Sequence, residues 1–365
     1  MNLPASPAVS RRAARGRGRP WTPRRLWSLL GGPALFVVVA LFVIYGQSGY
    51  GLYQASIVLV YCVVALGQEW LTGRAGQISL GAAAFMAIGA FVGARTAQQS
   101  WAPFPLPLLA AALAGGLVGI VIGLSSLRFR GLYLALSTLA LQFFVQFAAL
   151  EYQGGNQGGV VPPIPKLFGY EFSEGRPFVI LMVVIVGLLL LLLRGMYSRA
   201  PGRAWAALRQ SEVASAVSGV DVMRWKLAAF AGSSAVIAVG GCLFAYLTGS
   251  ATYQPYTIYL TVSVLVMVFV GGTGSMVGAL LGAVLVGLLP YWIQDIGNEF
   301  ADNPSVYAWF SVHGATLAIA VYGLALLLVL VFEREGLYGL LRRLWLLLLR
   351  GIAFARPQRS EGDAA

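Results

Sequence analysis

Long apolar segments separated by short polar connections run through most of this chain. A helix needs about 20 predominantly apolar residues to cross a bilayer. Ten candidate segments can be marked, at about 32–46, 52–71, 77–94, 104–124, 131–150, 178–193, 227–249, 257–270, 276–294 and 313–332. The pattern predicts an all-α polytopic membrane protein with about ten transmembrane helices.

The third segment is the least regular of the ten. Its core, Gly76–Gly93, is rich in glycine and alanine. Such a segment could cross as one helix, or it could be broken or re-entrant. Irregular backbone at membrane depth is tolerated where protein buries it, so the sequence leaves both alternatives open.

The composition agrees with a membrane protein. The chain is 58% hydrophobic and only 10% charged, whereas soluble globular proteins contain about 25% charged residues. Its 365 residues suit one integral domain. Both cysteines, Cys62 and Cys242, fall in apolar runs, which predicts that they are small packing residues.

The distribution of positive charge predicts the orientation. A net charge of +12 could indicate nucleic-acid binding, but the charge lies in the connections, so it is interpreted as a topology signal and no nucleic-acid partner is expected. If both termini are cytoplasmic, all but three of the 25 Lys and Arg residues lie on the cytoplasmic side. The exceptions are Arg95, Lys166 and Arg176.

Three regions follow from this topology. Residues 1–31 hold arginines but no acidic residue, which predicts a disordered basic cytoplasmic tail; no small-residue cleavage site follows, so a signal peptide is not expected. Residues 32–332 form the transmembrane domain, with an extracytoplasmic loop at 151–177 and a cytoplasmic loop at 195–226. Residues 333–365 are predicted to form a cytoplasmic interfacial helix and tail.

The cytoplasmic loop contains the most informative segment, Gly202–Phe230. It is polar, rich in small residues, and lies between two long apolar segments. It predicts a short helix, a stop at Gly219 and a second short turn before the next span. Its charged residues are Arg203, Arg209, Glu212, Asp221, Arg224 and Lys226. A membrane protein has little reason to keep such a segment unless a soluble partner docks onto it.

Several kinds of chemistry are missing from the sequence. His313 is the single histidine, so neither a histidine-based metal site nor a catalytic triad is expected. No GK[ST] phosphate-binding motif occurs, which excludes an ATPase of that class. Glu69 is the one acidic residue inside a predicted span, where it is expected to pair with Arg74, so no intramembrane carboxylate relay is predicted. Active transport would need energy from another subunit, and a passive channel remains an alternative.

Two polar faces are candidates for a translocation path. They comprise Gln77 and Ser79 in the third segment, and Ser137, Thr138, Gln142 and Gln146 in the fifth. Gln142 and Gln146 share a helix face because they are four residues apart. An uncharged path of hydroxyls and amides among apolar residues suits a small zwitterion with an apolar side chain. Hydrogen bonding between helices is the alternative role for each residue.

Four motifs, in the same order, resemble branched-chain amino acid ABC permeases of the LivM type. They are LTGRAGQISLGAAAFMAIGAF (71–91), GLYLALSTLAL (131–141), SRAPGRAWAALRQSEVASAVSGVDVMRWKLAAFAGS (198–233) and VFVGGTGSMVGALLGA (268–283). The resemblance covers about residues 52–332. Gln210 and Ser211 depart from it, since the family commonly has an acidic or amide pair there.

The resemblance implies an ABC importer permease fold in a bacterial plasma membrane. It implies a second homologous permease subunit, two cytoplasmic ATPase subunits that bind ATP and magnesium, and an extracytoplasmic solute-binding protein. A helix at about 203–217 would dock on the ATPase, with Gly202, Arg203, Arg209, Glu212 and Gly219 as the coupling residues. The chain itself would be a non-catalytic subunit without cofactors. Urea and short-amide permeases share the fold and much of the motifs, so they remain an alternative, as does a stand-alone channel.

Overall fold

The computed structural model describes residues 49–99, 102–129, 131–154, 159–167, 170–172 and 175–299, with Gly46 and scattered positions between 309 and 339. Helices account for most of these residues. In chain order the α-helices are α1 Tyr50–Glu69, α2 Ala82–Ala97, α3 Pro105–Arg128, α4 Leu132–Gly154, α5 Arg176–Tyr197, α6 Ala200–Gln210, α7 Glu212–Val217, α8 Val222–Thr248, α9 Ile258–Gly271 and α10 Met276–Glu299. Two short antiparallel strands, β1 Lys166–Leu167 and β2 Tyr170–Glu171, lie between α4 and α5.

Eight of the predicted membrane segments coincide with helices. Six of the described helices are long and apolar enough to cross a membrane, and α2 and α9 are shorter apolar helices. The predicted segment at 32–46 lies outside the described residues, as do the basic tail and the C-terminal interfacial helix. The segment at 313–332 is described only at scattered positions, which are helical. The total of ten spans and the orientation therefore stay predictions.

The third predicted segment begins with a non-helical stretch, which is a break between α1 and α2. Helix α1 continues into a π-helical turn at Trp70–Arg74, and the chain then runs without helical structure until α2 begins at Ala82. Gly76, in this break, has a φ of 71°, a backbone conformation that glycine adopts at little cost. A break was one of the two alternatives left open by the sequence.

Helix α8 lies at the centre of the bundle and packs against α1, α2 and α3. These helices approach closely because glycines of one helix face the backbone of the neighbouring helix. A side chain at Gly89 of α2 would collide with the carbonyl group of Ala238, and one at Gly241 would collide with that of Met86. The backbones of α2 and α8 therefore meet at two successive levels.

The outer faces of the bundle are apolar. On α3, Leu113, Leu117 and Val121 are 68%, 64% and 65% exposed, whereas Gly115 and Gly119 on the opposite face are buried. An apolar exposed face of this extent is not stable in water but suits contact with lipid. The chain is therefore a membrane-embedded, multi-pass protein.

The close packing of α3 on α8 predicts different outcomes at two adjacent glycines. The methyl group of an alanine at Gly115 would collide with Ala238 Cβ and would lie 2.8 Å from the backbone oxygen of Ser234. Neither neighbour is a flexible side chain, so the two helices would have to move apart. Gly115→Ala is expected to lower the free energy of unfolding by about 1–3 kcal/mol. Thermal unfolding of the detergent-solubilised protein measures this.

Gly116→Ala is the matched control. Its new methyl group would find its neighbours at 3.5 Å or more, an ordinary contact, so stability should stay equal or rise slightly. Equal stability of the two variants would contradict the packing described here.

Candidate functional site

The amino end of α2 is buried inside the bundle. Ala82, Ala83 and Ala84 have no exposed surface. The first backbone N–H groups of a helix have no partner within the helix, and burying them unpaired is costly. Side chains from the break and from two other helices accept hydrogen bonds from these groups.

Two of these acceptors come from the path candidates on α4. Thr138 Oγ1 accepts from the N–H of Leu80 at 2.8 Å. Gln142 Oε1 accepts from the N–H of Ala84 at 2.6 Å, while its Nε2 donates to the carbonyl oxygen of Tyr256 at 3.0 Å. Both side chains are completely buried. Gln142 therefore fixes α4 to α2 and to the connection between α8 and α9.

A third acceptor comes from α9. Thr261 Oγ1 accepts from the N–H of Ala83 at 3.1 Å and donates to Gln142 Oε1 at 3.3 Å. Sequence reasoning missed Thr261, because it is one hydroxyl in an apolar run and only the fold brings it to α2. Nearby, burial raises the pKa of the Tyr256 phenol above its ordinary value.

The other path candidates are more dispersed. Ser79 Oγ accepts from the N–H of Gly81 at 3.3 Å, so it belongs to the same cluster. Gln77 lies in the break and is buried, and its Oε1 has no hydrogen-bond partner among the described residues. Ser137 Oγ is 3.3 Å from Ser125 Oγ of α3. Gln146 is half-buried, one turn beyond Gln142.

The polar connecting segment consists of two helices, so the prediction of one helix over about 203–217 is wrong. The helix is interrupted at Ser211, whose φ and ψ are −162° and 119°. The Ser211 side chain caps α7 by accepting from the N–H of Ala214 at 3.2 Å, and such competition with the helical backbone is typical of serine. The predicted stop at Gly219 is confirmed.

The end of α7 has the geometry of a Schellman motif. Gly219 has a φ of +82°. Its N–H donates to the carbonyl of Ala216 at 3.1 Å, and the N–H of Val220 donates to that of Ser215 at 3.0 Å. A residue with a side chain would be strained at Gly219, which explains the glycine there.

Trp205 anchors α6 in the bundle. It is 1% exposed, and its ring makes edge-to-face contacts with Trp70, Tyr197 and Trp225 at centroid distances of 5.2, 6.4 and 5.8 Å. Its Nε1 donates to the carbonyl of Trp225 at 2.9 Å. Gly202 allows the approach, since a side chain there would collide with the Tyr197 backbone. The presence of this tryptophan in a mostly polar segment was the feature of the sequence that could have indicated an anchor.

Arg209 connects α6 to the break after α1. Its Nη1 donates to the carbonyl oxygen of Gly73, and its side chain lies against Gly76 and Gly274. Glu69, which is completely buried, accepts from the N–H of Gly274 at 2.7 Å. The π-helical turn, α6 and the connection between α9 and α10 therefore meet at one place.

The expected Glu69–Arg74 pair is not among the ion pairs of the described residues. The Arg74 guanidinium carbon lies instead 4.6 Å from the centroid of the Tyr197 ring, a cation–π contact. The π-helical turn changes the angular spacing between these two side chains, and sequence spacing alone assumes a regular helix.

Glu212 forms an ion pair inside the protein. Its Oε1 lies 2.6 Å from Lys226 Nζ of α8, with side-chain exposures of 24% and 6%. Lys226 Nζ also donates to the carbonyl of Ser126, near the end of α3, at 3.3 Å. This arrangement holds α7 against α8 and α3.

Other parts of the segment face outward. Val213 and Val217 are 68% and 87% exposed and share one face of α7, because they are four residues apart. Arg203 is exposed and lines a cleft of about 590 Å³ with Gly219, Asp221 and Arg224. The segment therefore has one side fixed to the bundle and another available to a partner.

Comparison with known proteins gives one family. The family model described as branched-chain amino acid transport system, permease component, matches residues 50–330. The high-affinity branched-chain amino acid transport system permease proteins LivM of Salmonella typhimurium and of Escherichia coli are each 32% identical over 277 residues. Each match covers 68% of this chain and 64% of the relative, so the chain spans less than two thirds of these relatives.

A shorter similarity extends to a sugar transporter. The xylose transport system permease protein XylH of Escherichia coli is 32% identical over 143 residues, covering 37% of this chain and 35% of that protein. No solved structure matches the chain.

The buried cluster predicts a structural role for Gln142. Gln142→Leu would leave the N–H of Ala84 and the carbonyl of Tyr256 without their present partner, and each unpaired buried group costs about 1–3 kcal/mol. We expect a lower midpoint of thermal unfolding in detergent. Gln146→Leu is the matched control, since it makes the same change one turn away without breaking a described hydrogen bond. An equally stable Gln142→Leu protein would contradict the capping role.

Proposed function

The chain belongs to the branched-chain amino acid transport permease family, and we propose that it is the membrane subunit of an ATP-driven importer. Its substrates would be leucine, isoleucine, valine or a related small amino acid, moved across a bacterial plasma membrane by alternating access. The observation that carries the proposal is the α6–α7 segment, which is fixed to the bundle on one side and exposes a helix face on the other.

The proposed assembly has more than one kind of subunit. A second homologous permease would complete the membrane part, and an extracytoplasmic binding protein would deliver the substrate. Two ATPase subunits would bind ATP with magnesium on the cytoplasmic side. This division of labour is supported by family membership and by the lack of a phosphate-binding motif in the chain. The chain would then bind and guide substrate without catalysing a reaction.

The exposed face of α7 is the proposed contact with the ATPase. Val213 and Val217 are largely exposed in the isolated chain. Covering these two side chains with a partner would be favourable, because it removes apolar surface from water. Arg203, which lines the cleft next to Gly219 at the end of α7, could supply a hydrogen-bonding group to the partner. The interruption at Ser211 sets the direction of α7 relative to α6.

Arg209 and Glu212 have a different proposed role. Both side chains bind within the chain, Arg209 to Gly73 and Glu212 to Lys226. We propose that they transmit a displacement of α7 to the break after α1 and to the start of α8. Rigid packed elements carry such displacements between sites. Gly202 and Gly219 would support this role by fixing the start of α6 and the end of α7.

The candidate path residues also fall into two groups, those that bond within the chain and those proposed to contact a solute. Ser79, Thr138 and Gln142 hold the amino end of α2, and Ser137 contacts α3. Gln77 and Gln146 retain amide groups for contact with a passing solute. The path is therefore proposed to run beside the break, with the capped end of α2 forming part of its wall.

A pull-down tests the docking face. The tagged chain would be expressed in its source organism, solubilised, purified and assayed for ATPase activity, with co-purified proteins identified by mass spectrometry. We expect the wild type to recover an ATPase and Val217→Asp to lose it, because a charge would be buried in the contact. Met223→Asp, at a position on α8 that is 52% exposed and lies outside the cleft, is the control and should retain the ATPase. Recovery of no ATPase by the wild type would favour a stand-alone channel.

Exchanging the charges of Glu212 and Lys226 tests whether Glu212 acts through its ion pair with Lys226 or by binding the ATPase. Glu212→Lys leaves two cations together at a mostly buried position, so uptake of radiolabelled leucine should fall to background. The double variant Glu212→Lys/Lys226→Glu restores an internal ion pair and should recover much of the uptake. Failure of the double variant, at equal membrane abundance, would indicate that Glu212 binds the ATPase directly.

A further inference from the structure

A second pocket lies beside the buried hydrogen-bonded cluster, because its lining residue Phe244 contacts the ring of Tyr256 at a centroid distance of 6.1 Å. It is enclosed by α1, α8, α9 and α10 and has a volume of about 160 Å³. Ile57, Phe244 and Met267 supply apolar side chains from three of these helices, and Tyr61 and Tyr291 supply aromatic rings. The amino end of α2 and the α6–α7 segment contribute no residue to its lining.

The chemistry of this pocket favours an uncharged aliphatic group. No charged side chain is among its described lining residues. Ser263, which lines it from α9, donates its hydroxyl to the carbonyl of Tyr259 at 2.8 Å, so this group already has a partner. A carboxylate or ammonium group would lose its hydration here without compensation.

The volume of the pocket limits the size of the group that it can bind. A water molecule occupies about 30 Å³ in the liquid, so the volume suits about five groups of that size. The side chains of valine, leucine and isoleucine fall within this limit.

Gly287 keeps the pocket at this size. A side chain there would approach Tyr61 Cδ2 and Val58 Cγ2 to 3.2 Å. The Tyr61 ring therefore lies close against the backbone of α10 and forms one wall. Because the rigid Tyr61 ring packs directly on Gly287, this wall gives the cavity a defined shape.

We propose that this pocket, the α1–α8–α9–α10 pocket, receives the aliphatic side chain of the amino acid during its passage. The proposal rests on the proposed function, because it assigns a substrate to that transport. The pocket would select among substrates by side-chain size. The polar groups of the amino acid would stay outside it.

Uptake measurements in the source organism test this proposal, with the chromosomal copy replaced by each variant so that the native partners are present. Ser263→Leu fills the pocket, and we expect the ratio of leucine uptake to alanine uptake to fall about tenfold, since a methylene group in an apolar pocket changes selectivity at least that much. Met267→Ala enlarges the pocket and should raise phenylalanine uptake relative to leucine. Membrane abundance would be measured by immunoblot for each variant.

Val262→Leu is the matched control. Val262 precedes Ser263 on α9, is 42% exposed and does not line the pocket, so the uptake ratio should not change. If Ser263→Leu fails to reach the membrane, Met267→Ala still tests the proposal independently.

Different outcomes would overturn the proposed function and the role of the pocket. A wild type that takes up no aliphatic amino acid would overturn the proposed function, and with it the substrate of this pocket. Normal wild-type uptake with unchanged ratios in Ser263→Leu and Met267→Ala would overturn the pocket alone. A lipid acyl chain in the pocket would give this second result.

Discussion

A helix that begins inside a bundle of apolar helices must have its first backbone N–H groups paired. Helix α2 begins in this way, at a position without exposed surface. Its pairing requires Gln142 from α4 and Thr261 from α9, and Thr138 from α4 pairs the N–H of Leu80 just before the helix. These side chains fix where α4 and α9 stand relative to the break, so the arrangement of four elements depends on one set of hydrogen bonds.

The same break connects the membrane part to the polar segment. The π-helical turn before it presents the carbonyl of Gly73 to Arg209 of α6, and Glu69 at its start accepts from Gly274. A regular helix through this stretch would have bonded the Gly73 carbonyl within itself. The irregular backbone therefore frees the group that holds α6, and it also creates the buried helix end.

The sequence predicted the helical segments well because their apolar runs are long and their polar connections are distinct. It also predicted the stop at Gly219 and left open the break near Gly76. It did not predict the interruption at Ser211, because serine is tolerated both within a helix and at a cap. Trp205, Lys226 and Thr261 make hydrogen bonds to Trp225, Ser126 and Ala83, which lie 20, 100 and 178 residues away. A single sequence gives no distances between such segments.

The candidate residues show why polarity alone does not identify a path. In a membrane bundle, a buried amide or hydroxyl must first satisfy the backbone groups near it, since no water competes for them. Gln142 does this with both ends of its amide, which leaves little of its hydrogen-bonding capacity for a solute. Under the proposed function, specificity for an aliphatic amino acid would therefore come from shape and apolar contact. We propose that the α1–α8–α9–α10 pocket provides that contact, and α8, which lines it, is fixed to α7 through Lys226 near its amino end. The central helix thus links the proposed substrate pocket to the proposed docking face through one rigid element.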